Sequence, residues 1–138
     1  MANEAILLFE TALPIPFTVA NAGGIEKGAA VALIDPMSVS GATASTDVAG
    51  GFTGAEKIAS NGETKIDVYR EGIFKIRLSG SVNVGDPLTV TDVSPNCFVK
   101  YDIGDTVSGS RVWGTALETG TAGESIKMEL KPMMGAEA

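Results

Sequence analysis

One pattern is written twice in this chain, and it constrains the fold more than any other feature. GIEKGAAVALID, from Gly24 to Asp35, lies over SVNVGDPLTVTD, from Ser81 to Asp92, with Ile25 on Val82, Gly28 on Gly85, Val31 on Leu88, Leu33 on Val90 and Asp35 on Asp92, an offset of 57 residues. In both copies a glycine stands just ahead of an apolar strand, where a residue without Cβ takes positive φ and lets the chain turn into a sheet. A second match pairs NGETKIDV, Asn61 to Val68, with AGESIKMEL, Ala122 to Leu130, at an offset of 61. Such a period is too long, and its copies too few, for a solenoid array. Two copies of a small β unit packed as one domain account for it.

Period two dominates the regular stretches. Ile126, Met128 and Leu130 alternate with Lys127, Glu129 and Lys131, and Phe74, Ile76 and Leu78 alternate with Lys75, Arg77 and Ser79, as a strand with one buried and one wet face requires. No dozen residues carry a 3.6-residue apolar stripe, and the 17 glycines cut every helical candidate short; at most 55–59 makes a single helical turn. Strands are expected over 6–10, 17–19, 30–34, 52–55, 65–69, 73–78, 87–91, 97–101, 111–118 and 125–131. The fold class that follows is all-β: a small β-barrel or β-sandwich built from two similar β units, with an extended N-terminal arm and a long flexible loop. The expected division is an arm over 1–20, a single β domain over 21–132 with its internal repeat at 24–68 and 81–130, and a tail over 133–138.

Two segments fit no strand. Met37 to Gly51 is small, polar and rich in Gly, Ser, Ala and Thr, which describes a mobile loop or hairpin tip. Its counterpart, Val93 to Ser110, is more ordered in composition. The other segment is the arm, whose Pro14 and Pro16 keep the backbone extended and remove two donors, so it is expected on an edge rather than in the middle of a sheet. An apolar arm that its own domain cannot fully pair suits strand addition to a neighbouring chain; an ordinary first edge strand is the plainer alternative.

Composition excludes much of the remaining function space. The chain of 138 residues carries a net charge of −7 with scattered Lys and Arg, which argues against direct nucleic-acid binding. Histidine is absent, and with it the commonest general base and metal ligand. Cys97 is the single cysteine, read as a buried inert thiol, so neither a disulfide nor a cysteine zinc site can form within the chain. GGFTGAEK, Gly50 to Lys57, lacks the Gly-Lys-Ser/Thr ending of a phosphate loop and puts Glu56 where phosphate charge would sit. Asp102, Asp105 and Glu118 lack the spacing of a calcium loop, and Glu63 and Glu124 read as turn polarity. Trp113 reads as a core or subunit-contact anchor. The expectation is a non-enzyme with no catalytic residues, no metal and no cofactor. The longest apolar run, Ala5 to Phe9, is too short to span a bilayer, so no membrane partner and a soluble chain made in the cytosol are expected.

Taken together, the arm MANEAILLFETALPIPFTV, then GIEKGAAVALID, then VYREGIFKIRLSGSVNVGDPLTV and finally RVWGTALETGTAGESIKMEL resemble the capsid decoration, or cement, proteins of tailed bacteriophages, from Ile6 to about Pro132. That resemblance implies a virion protein on the outer surface of an HK97-type shell, present in the host cytoplasm before assembly. Its implied partners are the major capsid protein and two further copies of itself, as a homotrimer at local threefold positions that braces the shell against internal pressure. The capsid-contact candidates are Ile6, Leu7, Leu8, Phe9, Leu13, Ile15 and Phe17 of the arm, with Gly28 and Gly85 as structural turns. A carbohydrate- or host-surface-binding module of a virion appendage is the alternative, disfavoured because the chain spends few aromatics and most of them inside expected strands.

Overall fold

The structure, a computed structural model, describes residues 3–19, 24–42, 48–57, 64–91, 96–101 and 112–133. The chain is all-β and forms two closed barrels of five strands each. The first contains β2 (Ile15–Val19), β3 (Ala30–Ile34), β4 (Ser38–Gly41), β5 (Ala49–Thr53) and β6 (Lys65–Tyr69), closed in the order β2-β4-β3-β5-β6. The second contains β7 (Gly72–Leu78), β8 (Pro87–Val90), β9 (Cys97–Lys100), β10 (Val112–Ala116) and β11 (Ser125–Met133), in the order β7-β11-β10-β8-β9 and closed by β7 on β9. A further strand, β1 (Ile6–Phe9), lies antiparallel on β7.

The repeat in the sequence is the repeat of the barrels. In each, the first and third strands pair parallel, β2 with β4 and β7 with β9, and every other pairing is antiparallel. Gly28 and Gly85 have φ of 82° and 91°, and their N–H groups donate to equivalent carbonyls, Thr53 at 2.9 Å and Ala116 at 2.8 Å. Ile25 bridges Lys57 as Val82 bridges Gly120. In the last strand the ladders refine the alignment: Phe17 faces Ile66 as Ile76 faces Ile126, so the strands repeat at 60 residues and not at the 61 that Gly-Glu suggests. A repeated close approach was not visible beforehand. A Cβ on Gly51 would strike the Tyr69 carbonyl, and one on Gly114 the Glu129 carbonyl.

Three expectations need correction. Ser38–Gly41 and Ala49–Thr53, which between them take up both ends of the supposed loop, are barrel strands with Ser38, Val39 and Ala49 buried. Their small side chains allow the backbones to pack closely, and composition alone reads as a loop; residues 43–47 lie outside the described set. The helical turn at 55–59 is not formed over 55–57, where Lys57 bridges Ile25, and 58–59 lie outside the described residues. The arm does enter a closed sheet, because β2 lies between β4 and β6. Thr18 N–H donates toward β4, to Met37 O, and Val19 N–H toward β6, to Thr64 O. Strand alternation therefore turns the nitrogen of Pro16 to the β4 side, and β4 pairs only Thr18 and Val19, so the missing donor leaves no ladder bond unmade.

The barrels share a seam. The second core holds Phe74, Ile76, Leu88, Phe98, Trp113 and Met128, and Phe52 of the first barrel packs into it, with ring centroids 4.7 Å from Phe74, 5.6 Å from Phe98 and 6.2 Å from Trp113. Phe17, Val31, Val39, Ile66 and Val68 form the smaller first core. Ala30 N–H crosses the seam to Asn96 Oδ1 at 2.9 Å.

Candidate interaction surface

The apolar residues left exposed are concentrated on the N-terminal segment. Ile6 is 56% exposed, Phe9 61%, Leu13 76% and Ile15 42%, with Leu7 and Leu8 at 37% each. All four residues of β1 are exposed, because the strand pairs on one side only and carries apolar side chains on both faces. Phe17, the remaining candidate, is 4% exposed and points into the first barrel. It presents no surface: two residues after Ile15, the closure of the barrel has brought core around it.

β1 also ties the barrels together. On one side it pairs with β7, Ile6 opposite Lys75 and Leu7 opposite Phe74; on the other, Ala5 N–H donates to the Gly28 carbonyl of the first barrel at 2.8 Å. Between this segment and the first barrel lies a cleft of about 590 Å³ bordered by Glu4, Leu7, Lys27, Gly54 and Tyr69. Burial, and then a hydrogen bond with Glu26, raise the Glu4 carboxyl above the ordinary carboxylate range. Tyr69 OH donates to Glu10 Oε2 at 2.8 Å and so holds the exit of β1; this bond raises the phenol above its ordinary value.

A second apolar hollow, about 540 Å³, is bordered by Ile15, Leu33, Ile34, Met37 and Val48, with Arg70 beside them. Ile34 and Met37 are exposed at 42% and 62%, and neither was among the sequence candidates. The signal was present: Met37 is a large apolar side chain beside Asp35-Pro36, in turn chemistry that favours polar residues.

Cys97 is buried, and burial raises its thiol above the ordinary value, which makes it a poor nucleophile. Trp113 belongs to the core. The carboxylate of Glu124 accepts from Thr121 N–H at 2.7 Å, which lowers it, and that of Glu118 accepts from Lys127 N–H at 2.9 Å, so both serve turns. Gly50 to Thr53 form strand. Asp102 and Asp105 lie outside the described residues, as does Glu63. Among the described residues no three His, Cys, Asp or Glu side chains converge as metal ligands. Of the eight aromatics, Phe17, Phe52, Phe74, Phe98, Tyr101 and Trp113 are buried and Tyr69 is partly buried. Phe9 alone stands exposed, too little for a sugar-stacking platform.

No protein-family model matches the chain, and no curated protein matches it significantly. Among solved structures it is similar to the head fiber gp8.5 N base of bacteriophage phi29, with a TM-score of 0.54 and 19% identity, over 87% of this chain and 98% of that one. At that identity the likeness speaks for the fold.

Proposed function

We propose that this chain is a non-enzymatic structural component of a bacteriophage virion. In this reading it sits on the outer capsid surface as a trimer at local threefold positions and holds neighbouring capsomers together against internal pressure. The observation that carries the reading is the shared fold with a phage head-fibre base, which extends over nearly the whole of both chains. It is supported by the exposed apolar segment Ile6, Leu7, Leu8, Phe9, Leu13 and Ile15, whose burial against a partner gains roughly 25 cal/mol per Å² of apolar area. Three such segments in one trimer bind with an avidity on the order of 10²-fold or more above a single one. The net charge of −7 keeps free copies apart until they meet the shell.

The test is co-sedimentation with DNA-free capsid shells of the virus that encodes the chain, alongside native mass measurement. Wild type should pellet with the shells and have the mass of three chains. The Ile6→Asp, Phe9→Asp double variant should stay in the supernatant while keeping the wild-type circular dichroism. Point variants are preferable to deleting the arm, since deletion would also remove the cover of β7 and of Gly28. Wild type that fails to pellet would refute the capsid role, and a monomer at high concentration would refute the trimer.

A further inference from the structure

The duplicated barrels place the same turn in two settings, one covered and one open. At both turns the glycine N–H reaches across the barrel, and the next residue folds back, Ala29 N–H to Glu26 O and Asp86 N–H to Asn83 O. Thr53 N–H then donates to Ala29 O as Ala116 N–H does to Asp86 O. In the first barrel the N-terminal segment lies over this turn. Ala5 N–H donates to the Gly28 carbonyl, and a Cβ on Gly28 would collide with the Ala5 carbonyl. In the second barrel, among the described residues, nothing stands within 4 Å of the same point on Gly85, and no hydrogen bond reaches the Gly85 carbonyl.

The side chains around the open turn have changed accordingly. Lys27 and Gly54, which border the covered cleft in the first barrel, correspond to Val84 and Leu117; Gly54 N–H donates to Asp67 O where Leu117 N–H donates to Lys127 O. Val84 is 63% exposed and Leu117 39%, and they are the only large apolar side chains exposed in the second barrel among the described residues. Acids flank them. Asp86 holds Asn83 N–H at 2.8 Å, and Glu118 holds Lys127 N–H. At the covered turn Lys27 of the turn and Glu4 of the covering segment both border the cleft, where Glu4 shares a hydrogen bond with Glu26.

We infer that the Gly85 turn, with Val84 and Leu117, is a docking site for an extended, apolar and basic segment of another protein. Such a segment donates a backbone N–H to the Gly85 carbonyl as Ala5 does to Gly28. It lays an apolar side chain on Val84 and Leu117, and its Lys or Arg meets Asp86 and Glu118. The acidic rim selects against the arm of a second copy, which carries Glu4 and Glu10 beside its apolar run. The site is separate from the β1 surface and stands or falls independently of capsid attachment.

The test is an amide NMR titration of the full chain with two synthetic peptides. One copies residues 3–10 with Glu4→Lys and Glu10→Lys; the other keeps both glutamates. The lysine peptide should shift the Val84, Gly85 and Leu117 amides and bind at least tenfold tighter than the glutamate peptide. The Val84→Ser, Leu117→Ser variant should fold as wild type, because both side chains are exposed, and should weaken the lysine peptide tenfold or more. Shifts absent from Gly85, spread evenly over the acidic surface, or unchanged in the double variant would overturn the inference. Equal affinity for the two peptides would also overturn it, by making the turn a seat for a second copy's arm.

Discussion

The two barrels have one topology and two kinds of interior. The second is filled by large side chains, Phe74, Phe98, Trp113, Met128 and Leu130, all essentially inaccessible. The first is built on strands such as SVSG and AGGFT, and it sends Phe52 out of its own core into that of its neighbour. A closed ladder of strands therefore does not demand a large core of its own; it can borrow burial across a seam. The sharpest way to break this comparison is Phe52→Ala. Removing a fully buried ring from an aromatic cluster should cost about 3–5 kcal/mol, measured by denaturant unfolding followed through Trp113 fluorescence and far-UV circular dichroism. A loss below about 1 kcal/mol would mean that the barrels stand independently.

The surfaces differ as well. The edge of β7 that receives β1 spans Ile73 to Lys75. By the register of the parallel pairs, Thr18 on Ser38 and Arg77 on Cys97, its counterpart in the first barrel is Pro14 to Pro16. One copy covers this edge with a strand, and the other blunts it with prolines that cannot donate, a recognised defence against unwanted pairing.

The paired turns sharpen the comparison at smaller amplitude. Both glycines have positive φ, so Gly85→Ala should cost about 1 kcal/mol from backbone strain alone. Gly28→Ala adds a collision with the Ala5 carbonyl and should cost at least about 1 kcal/mol more, together with loss of amide protection at Ala5. Equal costs would show that the cover over Gly28 is not rigid.

The smallest effect concerns pH. The Glu4 carboxyl is raised by burial and then by Glu26, so the folded chain holds this proton more tightly than the unfolded chain. Its contribution is therefore present at low pH and is lost as pH rises through the raised value. Ala5 N–H, corrected for intrinsic exchange, should be better protected below that value than at pH 7. Glu4→Gln should keep the acid-like protection at pH 7. Protection that grows with pH would contradict the assignment.

Much of the fold was legible along the chain, because alternation and glycine placement are local. The strands at Gly72–Leu78 and Ser125–Met133 fall where period two put them, and the repeat of Gly28 at Gly85 announced a duplicated unit. The candidate surface was legible in part: the apolar run Ile6 to Phe9 was visible, whereas Val84 and Leu117 looked like ordinary residues beside turns. Composition misled where strands are built from small residues, as at Ser38–Gly41, since burial there comes from neighbours distant in sequence.

The order of residues by itself determined an all-β chain, written twice, without a single histidine. Tertiary structure decided that Phe17 is buried while Ile15, two residues earlier on the same strand face, stays exposed, that Phe52 serves the other barrel, and that one glycine turn is covered while its twin is open. Those outcomes depend on which backbones meet when the ladders close, a non-local condition that neither alternation nor composition encodes.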